Sequence, residues 1–249
     1  MKLLLQSNTR NMTTLWKRYS AESIALSKGS IFFNTQWPHK VWLEGHLENY
    51  EYSFFIESVR SLLYQNPLRA FATWDKLIEN IFSSSEAVNL IKNDNTSSLV
   101  GMSLDLNAIE HGAVASELPL MCHDVSSNDV NFWTELCSRG FGYQIDACAI
   151  NSVVRHSDVS LLWYSYKNEP VGTALIAATG SIAGFHQIAV LPKWRGKGIA
   201  RGIVTQIILR AFENGATEAV LQASKMGLGV YEKLGFVENF EIKYYRIET

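Results

Sequence analysis

Val190-Leu191-Pro192-Lys193-Trp194-Arg195-Gly196-Lys197-Gly198-Ile199-Ala200 is the stretch on which the reading of this chain turns. Its apolar start ends a strand, two glycines follow, and residues 199–214 carry a helical pattern closed by Gly215. Glycines let backbone amides approach a ligand closely, and the unpaired amides and dipole of a first helical turn favour an anion. Lys193, Arg195, Lys197 and Arg201 place four cationic groups within nine residues. That is the composition of a phosphate cradle. It lacks the Gly-Lys-Ser/Thr of a Walker loop and the three glycines of the dinucleotide fingerprint. Taken alone, a Gly-x-Gly at a helix start is weak evidence, and a plain strand-to-helix loop with a solvated basic face is the commoner explanation.

Upstream, residues 171–192 hold no Asp, Glu, Lys or Arg, which is long enough on paper for a membrane span. Gly172, Gly180, Gly184, His186 and the break at Thr179-Gly180-Ser181 favour two strands and a turn instead. With a strand at 160–166 and the turn Lys167-Asn168-Glu169-Pro170, they predict a three-stranded antiparallel meander. Before it come a strand at 118–123 and helices at 126–138 and 143–155. After the loop and its helix come a strand at 218–223, a helix at 226–234 and strands at 237–240 and 242–247.

The N-terminal part reads as mixed α/β. A helix is expected at 11–28, stopped by Gly29, with strands at 30–34 and 40–44 around Trp37-Pro38-His39. A helix at 53–64 buries Phe55, Val59, Leu62 and Leu63, and a strand at 69–74, a helix at 75–91 and a strand at 99–106 follow. Residues 93–98 and 107–112 read as loops. Trp16, Trp37, Trp42 and Trp74 suit core or interdomain packing, and Phe32, Phe33, Trp37 and Trp42 alternatively wall an acceptor pocket.

Composition excludes several classes. The 249 residues are 47% hydrophobic and 18% charged, so the chain is neither disordered nor a mini-protein. Residues 1–116 carry 10 basic and 11 acidic groups and residues 117–249 carry 12 and 13, so neither half is a nucleic-acid or membrane arm. Cys122, Cys137 and Cys148 are odd in number and irregularly spaced, which argues against disulfides or zinc and for reduced, cytoplasmic thiols. The leucines of Met1-Lys2-Leu3-Leu4-Leu5 form too short a run for a signal-peptide core. His39, His46, His111 and His123 are scattered, and no metal-ligand spacing is present.

A second motif lies downstream, Val230-Tyr231-Glu232-Lys233-Leu234-Gly235-Phe236, with Tyr231 standing 36 residues after Arg195. Val-x-Pro-x-x-Arg-Gly-x-Gly-Ile-Ala followed by Tyr-Glu-Lys-Leu-Gly-Phe resembles the GNAT superfamily of acyl-CoA-dependent N-acyltransferases. The element order over 117–249 fits that family, giving an expected acetyltransferase domain of 133 residues and an N-terminal domain at 1–116. The latter resembles a degenerate copy of the same fold. The expected class is α/β (α+β): a mixed, mostly antiparallel sheet flanked by helices, with a second, smaller α/β domain.

The resemblance implies site residues. Arg195, Gly196, Lys197, Gly198, Ile199 and Ala200 match the loop whose amides hold the CoA pyrophosphate, with Lys193 and Arg201 as helpers. Ile188, Ala189 and Val190 match the strand that pairs with the pantetheine arm, and the Val190 amide matches the group that polarises the thioester carbonyl. Tyr231 matches the tyrosine that protonates the departing thiolate. The family's frequent Glu base is replaced by Gly184, eight residues before Pro192. His186, two residues on and on the same strand face, takes the matching place of a histidine proton relay. Ser224 and Gly227 stand where the family has Asn and Ala. Ser224 keeps a hydroxyl for the cofactor, and Lys225 is a candidate phosphate contact.

The expected function is therefore transfer of an acetyl group from acetyl-CoA to a primary amine by direct attack, with no metal. The alternative is an acyl-CoA-binding sensor that has lost catalysis, motivated by Gly184 and Ser224. The acceptor is expected to be a small-molecule or peptide amine, with no nucleic acid or membrane partner. The resemblance is compatible with a homodimer and does not require one.

Overall fold

The computed structural model describes residues 2–83, 92–93, 98–109 and 118–247, apart from the side chains of 2–4, 83 and 92–93. In chain order the first elements are α1 (Lys2–Arg18), β1 (Ala21–Ala25), β2 (Lys28–Asn34), β3 (Lys40–His46), α2 (Tyr52–Gln65), β4 (Ala70–Thr73), α3 (Lys76–Ser83), β5 (Lys92–Asn93) and β6 (Leu99–Asp105). Then come β7 (Met121–Asp124), α4 (Val130–Phe141), α5 (Ala147–Val153), β8 (Val159–Tyr166), β9 (Glu169–Thr179) and β10 (Ile182–Val190). The last are α6 (Ile199–Glu213), β11 (Glu218–Ala223), α7 (Leu228–Glu232) and β12 (Val237–Arg246). The fold is mixed α/β, with mostly antiparallel strands flanked by helices. Among the described residues no helix is long and apolar enough to cross a membrane.

Two compact units share the chain: Met1–Leu15 with Val100–Asn239, and Trp16–Leu99 with Phe240–Thr249. The division expected at 116/117 lies in 110–117, outside the described residues, as do His111 and the end of the helix expected to reach 91.

In the first unit the strands run β6-β11-β10-β9-β8-β7. The meander β8–β9–β10 is antiparallel, and its turns are made by residues with positive φ, Lys167, Asn168 and Gly180. β10 is parallel to β11, with α6 as the crossover, and β11 is antiparallel to β6. The core joins Ile199, Ile203 and Ile207 of α6 to Phe185, Leu221, Met102 and Phe236.

The second unit repeats that order. β1–β2–β3 is an antiparallel meander, β4 returns parallel to β3 after α2, and α3 follows. The strand that closes each repeat is exchanged. β6, which follows the first repeat, pairs with β11 of the second, while β12, at the end of the second, pairs antiparallel with β4 of the first. The two closing strands expected at 237–240 and 242–247 are this one strand. In the second unit the turn into α2 carries Glu48 and Glu51, which bond to Lys28 and Ser27, where α6 has its glycine loop. Carboxylates there repel a phosphate, so the repeat keeps the topology without the cradle.

The helix expected at 11–28 is displaced. It spans Lys2–Arg18 and ends at Tyr19 and Ser20 (φ 60), and residues 21–25 pair with β2 over five positions. Strand pairing overrides the helical spacing of Ile24 and Leu26. The helix expected at 143–155 is likewise shorter, Ala147–Val153, capped by the Asp146 side chain on the Cys148 amide. Trp42 is fully buried between Trp16 and Phe32, and Trp37 packs on Tyr19, so these rings form core within the second unit.

Candidate active site at the fork between two parallel strands

β10 and β11 run side by side only from Ile182/Glu218 to Phe185/Leu221. β10 continues to Val190 and β11 to Ala223, so the pair opens into a fork beyond those residues. An irregularity in the pairing with β9 between His186 and Ala189 bends β10 there. Gln187 takes a φ of 49°, and its carbonyl accepts the Thr173 hydroxyl at 3.0 Å.

Past that bend, the Leu191 amide donates to Val171 O at 2.9 Å while Val190 lies opposite Gly172. That pattern makes Val190 and Gly172 a non-hydrogen-bonded pair. The Val190 N–H therefore points away from β9, to the side where β11 has parted. Two glycines make this packing close. A Cβ on Gly172 would lie 2.4 Å from Ala189 O, and one on Gly140 of α4 would lie 2.7 Å from the Ala189 Cβ.

The basic loop follows. Gly196 and Gly198 have φ of 72° and 78°, values that favour glycine, and Gly198 caps α6. The first-turn amides of Ile199, Ala200 and Arg201 have no partner within the helix and point out of its N-terminus. Arg195 does not extend its guanidinium from the loop. Nη2 donates to Gly140 O at 2.7 Å and Nε to Val190 O at 3.3 Å, tying α4 and the end of β10 to the loop. Lys193 pairs with Glu169, and both Lys193 and Lys197 lie over the Trp194 ring. Arg201 and Lys225 are exposed.

Tyr231 stands on α7, half-buried, with its ring edge-on to Phe236 at 5.9 Å and a Cβ on Gly227 only 3.0 Å from it. Burial pushes its phenol up to about 12. Ser224 accepts the Gly227 amide on its hydroxyl at 3.3 Å, so it shapes the turn between β11 and α7. Ile188, Val190, Trp194 and Tyr231 pack on one apolar core, the one that holds Ile199 and Phe185.

His186 follows Phe185 and so faces the opposite side of the sheet. There it meets Asn11 of α1: Nε2 lies 2.9 Å from Asn11 Oδ1, and the ring is 8% exposed. Burial lowers its pKa to about 4, against a smaller opposite effect of the Gln222 side chain. The imidazole is neutral at physiological pH. Asn8, one helical turn before Asn11, bonds to Met102 O, Leu221 O and Gln222. The fork thus brings together Ile188, Val190, the 195–200 loop and Tyr231 on one side, while Ala189, packed on Gly140 of α4, and His186 lie on the other.

The sequence pattern does not reveal Asn8, Asn11, Gln222 or the inward turn of Arg195. A usable signal was present in α1, where two amides at a spacing of three share the face of Met12 and Leu15.

Residues 158–238 match the family model described as "Acetyltransferase (GNAT) domain". Over those residues the chain is similar to a GNAT acetyltransferase domain. Its likeness to solved structures runs the length of the chain at low identity. A GCN5-related N-acetyltransferase from Kribbella flavida is 13% identical with a TM-score of 0.72, over 97% of this chain and 94% of that one. One from Sphaerobacter thermophilus is 13% identical with a TM-score of 0.64, over 88% and 80%. A GCN5-related N-acetyltransferase-like protein from Streptococcus suis is 13% identical with a TM-score of 0.59, over 100% of both chains. At such identity the likeness shows the fold. No curated protein sequence matches the chain.

Proposed function

We propose that the protein transfers an acyl group, acetyl in the first instance, from acyl-CoA to a primary amine on a small molecule or peptide. The observation that carries this reading is the fork: beyond Phe185/Leu221 the Val190 N–H faces a gap between parted strands, and a glycine-turned helix start follows nine residues later. An extended pantetheine arm fits that gap as an added strand, bonding to the main chain of Ile188, Ala189 and Val190. The amides of residues 196–200 suit its pyrophosphate. Lys197 and Arg201 supply charge, and Ser224 borders the gap at the end of β11. Arg195 acts through Val190 and Gly140.

The amine attacks the thioester carbon directly. The Val190 N–H stabilises the oxyanion, the carbon–sulfur bond breaks, and Tyr231 gives its proton to the thiolate. A buried phenol keeps that proton throughout the physiological range. His186, on the opposite face, takes the proton shed by the attacking nitrogen through a water. No cysteine joins the scheme: Cys137 is buried with its thiol pushed up to about 12, and Cys122 and Cys148 lie outside the fork.

Release of CoA thiol from acetyl-CoA in the presence of amines, polyamines, amino acids and peptides tests the reading. Thiol release that depends on one of these acceptors supports it. CoA binding without release by any of them favours a sensor, a reading supported by Gly184 in the base position and by the low basicity of His186.

A further inference from the structure

Asn11 and Gln222 present His186 with a fixed set of partners. The Asn11 amide nitrogen is committed to Ala177 O at 2.8 Å and Thr179 Oγ1 at 3.0 Å. Only Oδ1 is left to face the imidazole, so the neutral ring carries its hydrogen on Nε2 and its lone pair on Nδ1. The same reasoning orients Gln222. Asn8 gives its amide nitrogen to Met102 O and Leu221 O, so its Oδ1 receives Gln222 Nε2 at 2.8 Å. Gln222 keeps its own oxygen for the ring, on which it acts in the direction of the charged form. His186 and Gln222 are the first residues beyond the last paired positions of β10 and β11.

The remaining surroundings are uncharged. The ring's cross-strand neighbour on β9 is Leu175, and on α1 Asn8 is buried like Asn11 while Arg10 is exposed. Among the described residues of α1, β9, β11 and α4, no charged group acts on the ring. Asn8 and Asn11 are 0% and 1% exposed, so this polar chain is built into the sheet's surface.

We propose that Asn11 is a positioning residue for proton transfer: it fixes His186 as the Nε2–H tautomer, so that Nδ1 takes the acceptor's proton and the imidazolium is held between the oxygens of Asn11 and Gln222. The proton leaves the attacking nitrogen and arrives on Nδ1, and the ring gains a second hydrogen bond as it gains charge. This rests on the role of His186 given above. It adds that an N-terminal helix, more than 170 residues away in sequence, sets the state of that base.

The test is nitrogen NMR of the His186 ring in the whole protein, as wild type, Asn11→Ser, Asn11→Ala and Asn11→Asp, alongside the pH profile of kcat/KM. Thermal unfolding reports which variants stay folded, and Asn11→Ser serves if Asn11→Asp does not. The wild type is expected to show the Nε2–H tautomer. Asn11→Ala should mix the tautomers, and Asn11→Asp should raise the ring's titration by about one to three pH units, as a carboxylate does to a nearby cation. The acid limb of kcat/KM should move with it. A ring unchanged by all three substitutions overturns the proposal, and so does a ring that moves while the acid limb stays. If the wild type releases no thiol with any amine, the acyltransfer reading fails on that result alone. The NMR series still decides whether Asn11 holds the ring.

Discussion

Asn11 Oδ1 occupies the space that a side chain at position 184 would need: a Cβ built on Gly184 lies 1.7 Å from that oxygen and 2.6 Å from His186 Nε2. The carboxylate that many GNAT proteins carry here is excluded by a carboxamide from α1. Gly184→Ala should therefore destabilise the protein by roughly 1–3 kcal/mol, the usual cost of overpacking. Asn11→Ala should relieve part of that cost. A double-mutant cycle in urea should give a coupling of about 0.5–3 kcal/mol, and strict additivity would mean that the two side chains do not compete.

Tyr231→Phe keeps the ring against Phe236 and Gly227 and removes only the hydroxyl. Turnover should fall by about 10²–10⁴-fold, the range for loss of a general acid. Acetyl-CoA affinity, measured by calorimetry, should change little. Because the phenol titrates near 12, the wild-type rate should show no basic limb from this group between pH 6 and 9.

Arg195→Lys preserves the charge and loses the planar fork that reaches both Gly140 O and Val190 O. The variant should lose about 1–3 kcal/mol of stability and bind CoA more weakly. Arg195→Gln, which removes the charge, should leave the salt dependence of CoA binding as in the wild type, since the guanidinium is turned onto carbonyls. A shallower salt slope would place Arg195 on the phosphates.

Stability should depend on pH through His186. Its folded pKa, about 4, lies below the ordinary value of 6.5, so the unfolded chain binds more protons between those two values. The resulting stability is fully present above about pH 6.5 and is lost as pH falls toward 4, on the order of 3 kcal/mol in all. His186→Gln should flatten that slope in denaturant titrations at several pH values.

Much of the segment from β8 to β11 could be read from local chemistry. The turns at Lys167-Asn168 and Gly180, the paired glycines of the cradle and the bounds of β11 agree with the pattern of residues, because each is decided within a few positions. What escaped reading is decided across the chain. Residues 21–25 become a strand through β2, and β6 joins β11 some 115 residues on. Asn11 meets Ala177 and His186 through side-chain bonds that span 166 and 175 residues and leave no local mark.

The exchange of closing strands bears on how this chain can be made and divided. β4 waits for residues 243–245, some 170 residues later, while β11 needs a strand made more than 100 residues earlier. Neither repeat can finish its sheet during translation of its own segment, and such distant pairing folds slowly. A fragment of residues 117–249 would expose the backbone of β11 as a bare edge, open to sticking to other chains. The two halves are therefore expected to complete their sheets only together.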